Sequence, residues 1–453
     1  MINVNLKSTK LLLVLDNVLT RFVFILWTLL ECILPIRMYQ KIAKFKEHES
    51  LHNVLGLTLF NAFGGVLLLV TQIKLANYMG ASIYGVYSYS IAVGEVGAMF
   101  VRYGRNKTMT RDLIQHPERQ RFLIANTFML GACNLMIYLG IILLFHKHLD
   151  VDLSWAFVLL LMAPCLMSLD FQPVYEAFNL MSWHSIYYLI QKTLFSISVW
   201  LLIVSPFPLS LLHIGVILFS SWLLILVLQY REVCTQLSIH VFKSFKWIDL
   251  KILYKENFLI ALSCFFGIAF GPLIRLILKN YVDSRAVGIY SAGLQVFLIG
   301  QFILNQVGRV GNPMMAVVGK QDCSQKQRKI FVRRYLLIMI CSTIPFFIPL
   351  FFFSNVITNL FFTGEYSELS SILPILACYL LVFSVGVVYT QFLISMRKDK
   401  LYFIIYILGA VITCICAFVL IPPLGVLGAV LALCVPHGIS CLGYYCVSQN
   451  LLR

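Results

Sequence analysis

Charge is what this chain has least of. Only 12% of its 453 residues are Asp, Glu, Lys or Arg, about half the usual share in soluble domains. Acidic residues are the scarcer kind, 19 against 35 Lys and Arg. With 60% apolar residues, no soluble fold could bury the hydrocarbon surface, and a bilayer must act as solvent for most of it. Strand-sized alternating segments are missing, which argues against an outer-membrane barrel. The 13 cysteines are scattered, with no C-x-x-C or Cys/His cluster, and Cys414-x-Cys416 is the closest pair. They read as small buried apolar residues, so no disulfide frame, metal site or cofactor is expected. A cleaved signal peptide is not expected either: residues 18–36 are long enough, but no small-residue cleavage site follows and the flank is basic.

Long hydrophobic runs are abundant. Twelve segments have the ~20 mainly apolar residues a spanning helix needs: about 54–73, 83–101, 122–145, 153–172, 186–204, 209–229, 258–279, 286–306, 331–353, 370–395, 402–421 and 424–447. Between them, basic residues alternate. Of the 35 Lys and Arg, 29 lie in one set of alternate loops and 4 in the other; Lys192 and Arg275 remain inside spans. The positive-inside rule then predicts a multi-pass protein with both termini cytoplasmic. The net charge of +16 is a topology signal, and no nucleic-acid partner is expected. The segment 1–50 leaves two readings open. Its apolar run 11–36 contains Asp16, Arg21 and Glu31, and it either lies on the inner leaflet as an amphipathic helix or forms a thirteenth span.

Two stretches of the chain echo each other at an offset of 203 residues. Asn77-Tyr78 … Gly85-Val86-Tyr87-Ser88 reappears as Asn280-Tyr281 … Gly288-Ile289-Tyr290-Ser291. The echo predicts an all-α membrane protein of two six-helix lobes around a central cavity, related as parallel repeats because each lobe has an even number of spans. The expected divisions are the segment 1–50, a first lobe 51–230, a basic linker 231–257 and a second lobe 258–453. Spans one and seven correspond, and both are expected to be interrupted, at Gly64-Gly65 and at Gly271-Pro272. Such breaks at matched positions mark a transport site, or the glycines serve close helix packing.

Ionisable side chains inside spans are costly and tend to face a bundle interior. Arg275, after the Gly-Pro break, is the leading candidate for holding an anion, since a guanidinium stays charged and grips phosphate oxygens in pairs. Snorkelling to the surface is the competing reading for Arg275 and for Lys192. Arg102 ends span two. Glu95 reads as a proton-coupling carboxylate or a structural ion-pair partner, and Asp170 as a second ion-coupling candidate or a capping group near the end of span four.

The arrangement Tyr84-Gly85-Val86-Tyr87-Ser88 and Ala286-Val287-Gly288-Ile289-Tyr290-Ser291-Ala292, with Phe171-Gln172 … Glu176-Ala177 … Met181 leading into Tyr188 … Gln191-Lys192, resembles Wzx-type polysaccharide flippases of the multidrug/oligosaccharidyl-lipid/polysaccharide exporter superfamily. The likeness covers about residues 50–450. It implies translocation of undecaprenyl-diphosphate-linked oligosaccharides across the bacterial inner membrane for O-antigen, capsule or exopolysaccharide synthesis, by alternating access and without enzymatic activity. It also implies that Arg275 and Lys192, with Arg102 at the mouth of the cavity, hold the diphosphate or acidic sugars. Membrane lipids, a glycan polymerase and a chain-length regulator are the expected partners. No acid flanks Arg275, whose neighbours are Ile274 and Leu276. A drug or metabolite exporter of the same superfamily is the alternative. A polytopic glycan polymerase or glycosyltransferase fits less well: the longest loop on the weakly basic side, about 354–369, carries no Arg, Lys or His, and no Asp-x-Asp motif appears.

Overall fold

A computed structural model describes residues 49–145, 154–178, 180–206, 208–237, 247–318 and 325–452. Most of the segment expected as an amphipathic helix or thirteenth span lies outside them. Among the described residues nine helices are long and apolar enough to cross a bilayer, and a bent pair, Ile260–Phe270 and Pro272–Tyr281, makes a further crossing.

Two of the nine are hairpins. Glu49–Arg102 and Asp399–Leu452 each have 54 residues, and a straight helix of that length would reach ~81 Å, far beyond a ~30 Å hydrocarbon core. Each contains one glycine in the left-handed region, Gly80 (φ 72°) and Gly425 (φ 55°), where a side chain would be strained. The chain reverses there. Gln72 and Tyr84 are hydrogen-bonded at 3.2 Å across Gly80, although 12 residues of straight helix would separate them by ~18 Å. Tyr402 and Tyr444 stack at 5.8 Å across Gly425. Counting both halves of each hairpin and the bent helix gives the twelve expected spans.

Spans one and two are thus 49–79 and 81–102. Span three is Gln120–Phe145, span four Trp155–Ser168, five Met181–Val204, six Leu211–Leu237, seven the bent helix that starts at Trp247, eight Ser284–Val318, nine Gln325–Phe352 and ten Leu369–Ser395; eleven and twelve share the second hairpin. Span four begins with Ser154, whose hydroxyl accepts the Phe157 amide at 3.3 Å, as an N-cap should. Short helices Arg105–Gln115 and Gln172–Ala177 lie between spans on the side of the basic loops, and Ser354–Phe361 lies on the opposite side.

The interruption of span seven is present: Gly267–Phe270 tightens into a 3-10 turn, and the helix resumes at Pro272 after a 47° bend. Pro272 sits at the first position of the new helix, where its missing N–H leaves no bond unmade. The expected break in span one at Gly64-Gly65 is not there, and the helix runs through both residues to Gly80. Gly64 serves packing instead: a Cβ on it would lie 3.0 Å from the Lys192 side chain of span five. Two adjacent glycines only weaken a helix, whereas a proline is excluded from a helix interior and so starts a new helix at Pro272.

Candidate interlobe anion site

The repeated motifs meet each other. A Cβ on Gly85 would stand 1.6 Å from the Ser284 carbonyl oxygen, and one on Gly288 would stand 2.0 Å from the Ala81 carbonyl oxygen. Ser284 and Gly288 are Ala81 and Gly85 displaced by 203 residues, so the contact between spans two and eight is related to itself by the pseudo-two-fold axis of the repeat. Only glycine allows the two backbones this close.

A polar cluster lies near that contact. Gln72 of span one donates from Nε2 to the Tyr87 hydroxyl at 3.0 Å and accepts from the Tyr84 hydroxyl. Its repeat equivalent is Arg275, and the equivalent of Tyr87 is Tyr290. Arg275 forms an ion pair with Glu95 of span two, so the acid absent from the flanks of Arg275 in sequence is supplied from the other half of the chain. The Arg275 side chain is 13% exposed and that of Glu95 37%. Tyr290 is fully buried. Among the described residues, neither its hydroxyl nor Arg275 Nε has a hydrogen-bond partner.

The other candidates sit elsewhere. Lys192 packs its stem on Gly64 and is half-buried. Gly65, one residue on, faces open space and lines a cleft of about 310 Å³ between span one (Gly65, Val66, Leu69) and span eight (Gln295, Phe302, Asn305). Asp170 is buried at the end of span four, its Oδ2 accepting from the Tyr188 hydroxyl at 2.9 Å and paired with His184 Nε2 at 3.1 Å. Arg105, also buried, donates to the Asp170 and Ser168 carbonyls. Arg102 is half-buried nearby, within electrostatic reach of Asp170. Arg105 and His184 went unnoticed in the sequence, since nothing in their spacing marks them as partners of Asp170.

The halves also touch at both faces. Opposite the basic loops, Asn77 donates to the Phe361 carbonyl at 2.7 Å and accepts from the Thr363 amide at 3.1 Å; the Ala81 amide donates to Glu365 at 2.8 Å, and the Tyr366 hydroxyl to the Ala76 carbonyl at 2.9 Å. On the basic side the first part of span seven leans on the first half. Tyr254 stacks edge-on with Tyr103 at 5.0 Å and donates to Asn134.

A twelve-span bundle of two similar halves, with a half-buried ion pair and a cleft between them, has the architecture of a two-lobed membrane transporter. The chain belongs to the polysaccharide biosynthesis protein family, whose model matches residues 50–319. CapF of Staphylococcus aureus, a capsular polysaccharide biosynthesis protein, is 26% identical over 196 residues, which make up 42% of this chain and 49% of that protein; the match spans about half the length of that relative. The lipid II flippase MurJ, in an inward closed conformation, shares the fold at TM-score 0.71 and 13% identity, over 87% of each chain. An inward-facing multidrug resistance MATE family transporter of the MOP superfamily does so at TM-score 0.61 and 11% identity, over 87% of this chain and 94% of that one.

Proposed function

We propose that this protein is a flippase that carries undecaprenyl-diphosphate-linked oligosaccharides across the bacterial inner membrane, from the cytoplasmic to the outer leaflet, for a surface polysaccharide such as capsule, exopolysaccharide or O-antigen. The observation that carries the reading is Arg275. It is a permanently charged side chain at the junction of the two halves, directly after the break in span seven, in a chain of the polysaccharide biosynthesis family. A diphosphate has the charge and the oxygen geometry that a guanidinium grips. Lys192, packed on Gly64, and Arg102, at the end of span two, supply further positive charge. Gln295 and Asn305 in the cleft wall offer hydrogen bonds to sugar hydroxyls. The protein moves its substrate without chemical change, both termini lie in the cytoplasm, and a polymerase with a chain-length regulator takes over the delivered unit.

A cationic drug or metabolite is the second reading, favoured by the part-exposed carboxylate of Glu95. The two readings separate on Arg275. In a strain lacking the gene, Arg275→Ala should fail to restore the surface polysaccharide while the protein accumulates and the lipid-linked unit builds up. Full restoration would remove Arg275 from the mechanism.

A further inference from the structure

We propose that Glu95 is a resident stand-in for the substrate's anion: it neutralises Arg275 when the carrier is absent, and the carrier's diphosphate displaces it. The inference rests on the flippase reading above and adds a second residue to that site, one that sets how tightly the carrier is held and when it leaves.

A buried guanidinium without a counter-ion is strongly unfavourable, because its hydration is lost and nothing replaces it. Arg275 is nearly buried and cannot escape by losing its proton. An empty transporter therefore needs an internal anion at this place, and Glu95 is that anion. The pair satisfies Arg275 incompletely. The contact runs through one terminal nitrogen, and Nε is left without a partner among the described residues. The hydroxyl of Tyr290, the repeat equivalent of the Tyr87 hydroxyl that bonds Gln72, is unpartnered in the same way. A carboxylate has two oxygens to offer. A diphosphate has several more and can bond Nε, a terminal nitrogen and a tyrosine hydroxyl together. Glu95 is the more exposed member of the pair, so it is the one free to swing into water when replaced.

The pair also joins span two to span seven, and so one half of the chain to the other. Exchange of Glu95 for the diphosphate removes a bond between the halves on loading. Its return to Arg275 expels the diphosphate after the site has turned outward. The repeat shows why there is one such site: the equivalents of Arg275 and Glu95 are Gln72 and Leu298, which carry no charge. Because Glu95 and the diphosphate compete for Arg275, weakening the Glu95 side of the pair frees the guanidinium and strengthens carrier binding by up to the same factor.

The test uses the full chain in lipid nanodiscs, with geranylgeranyl diphosphate as probe and inorganic pyrophosphate as a second probe that lacks the lipid tail. Glu95→Gln should bind geranylgeranyl diphosphate more tightly by roughly tenfold, within the usual 5- to 150-fold range of such couplings. The same variant should export more slowly in cells, because release is impaired. Glu95→Asp keeps the charge at a shorter reach and should fall between; it carries the test if Glu95→Gln does not accumulate. Arg275→Gln should lose saturable binding of both probes. Unchanged or weaker binding by the Glu95 variants, with binding lost in Arg275→Gln, overturns the stand-in role and leaves the flippase reading intact. Undiminished binding in Arg275→Gln overturns both.

Discussion

At the residue scale, the same type of side chain has different surroundings at different depths. Asp170 and Glu95 are both carboxylates inside spans, and both were candidates for ion coupling. Asp170 is buried, and its Oδ2 is engaged by His184 and Tyr188. Glu95 is over a third exposed, with one partner on the other half of the chain. A carboxylate locked among donors within one half stabilises the fold, and removing it strands its partners. Asp170→Asn should therefore cost roughly 3–5 kcal/mol of stability, seen as poor accumulation and a lowered unfolding midpoint. Normal accumulation with a selective loss of export would give Asp170 a transport role instead. The sequence marked both carboxylates through their rarity in apolar runs. It could not tell them apart, because the partners lie 14 and 18 residues away for Asp170 and 180 for Glu95.

At the element scale, the glycines divide by what surrounds them. Gly80 turns a hairpin, and a Cβ there would also meet Glu365 Oε2 at 2.8 Å. Gly85 and Gly288 let two helices of different halves touch along their backbones. Gly64 accommodates Lys192, and Gly65 lines open space. The sequence pointed to Gly64-Gly65 as a break because a matched break exists in span seven, but the proline that makes that break has no counterpart in span one. Backbone atoms cannot move aside as a flexible side chain can. Gly85→Ala should thus push spans two and eight apart at a cost of roughly 1–3 kcal/mol, and Gly288→Ala should do the same from the other side of the axis. A cysteine at Val287, fully buried next to Gly288, should then react faster with a water-soluble maleimide than it does without the glycine substitution. Equal reactivity would mean that the contact yields without opening.

At the scale of the whole molecule, the contacts at the face opposite the basic loops form a clasp. Asn77, the Ala81 amide and Glu365 are its polar parts, and Tyr366, fully buried, is its apolar plug. Each polar bond is worth on the order of 1 kcal/mol net, so the clasp is a modest link between the two halves on that face. Asn77→Ala combined with Glu365→Ala should shift the population toward a form open on that face. Gln72→Cys in that background should become accessible to an impermeant thiol reagent added from outside. Continued protection would show that the Gly85–Gly288 contact closes the face without the clasp.

The sequence by itself determined the solvent, the number of crossings, the alternation of basic loops and the existence of two similar halves. These follow from composition and from spacing along one dimension: an apolar run of ~20 residues has one favourable environment whatever its neighbours are. Tertiary structure alone decided that the two copies of the repeat face each other, that Arg275 is met by Glu95 rather than by an acid beside it, and that span one is whole. Those outcomes depend on which helix faces which, and at what depth. In a bilayer that choice is made by close packing and by pairing of polar groups between helices, which no property of a single span contains.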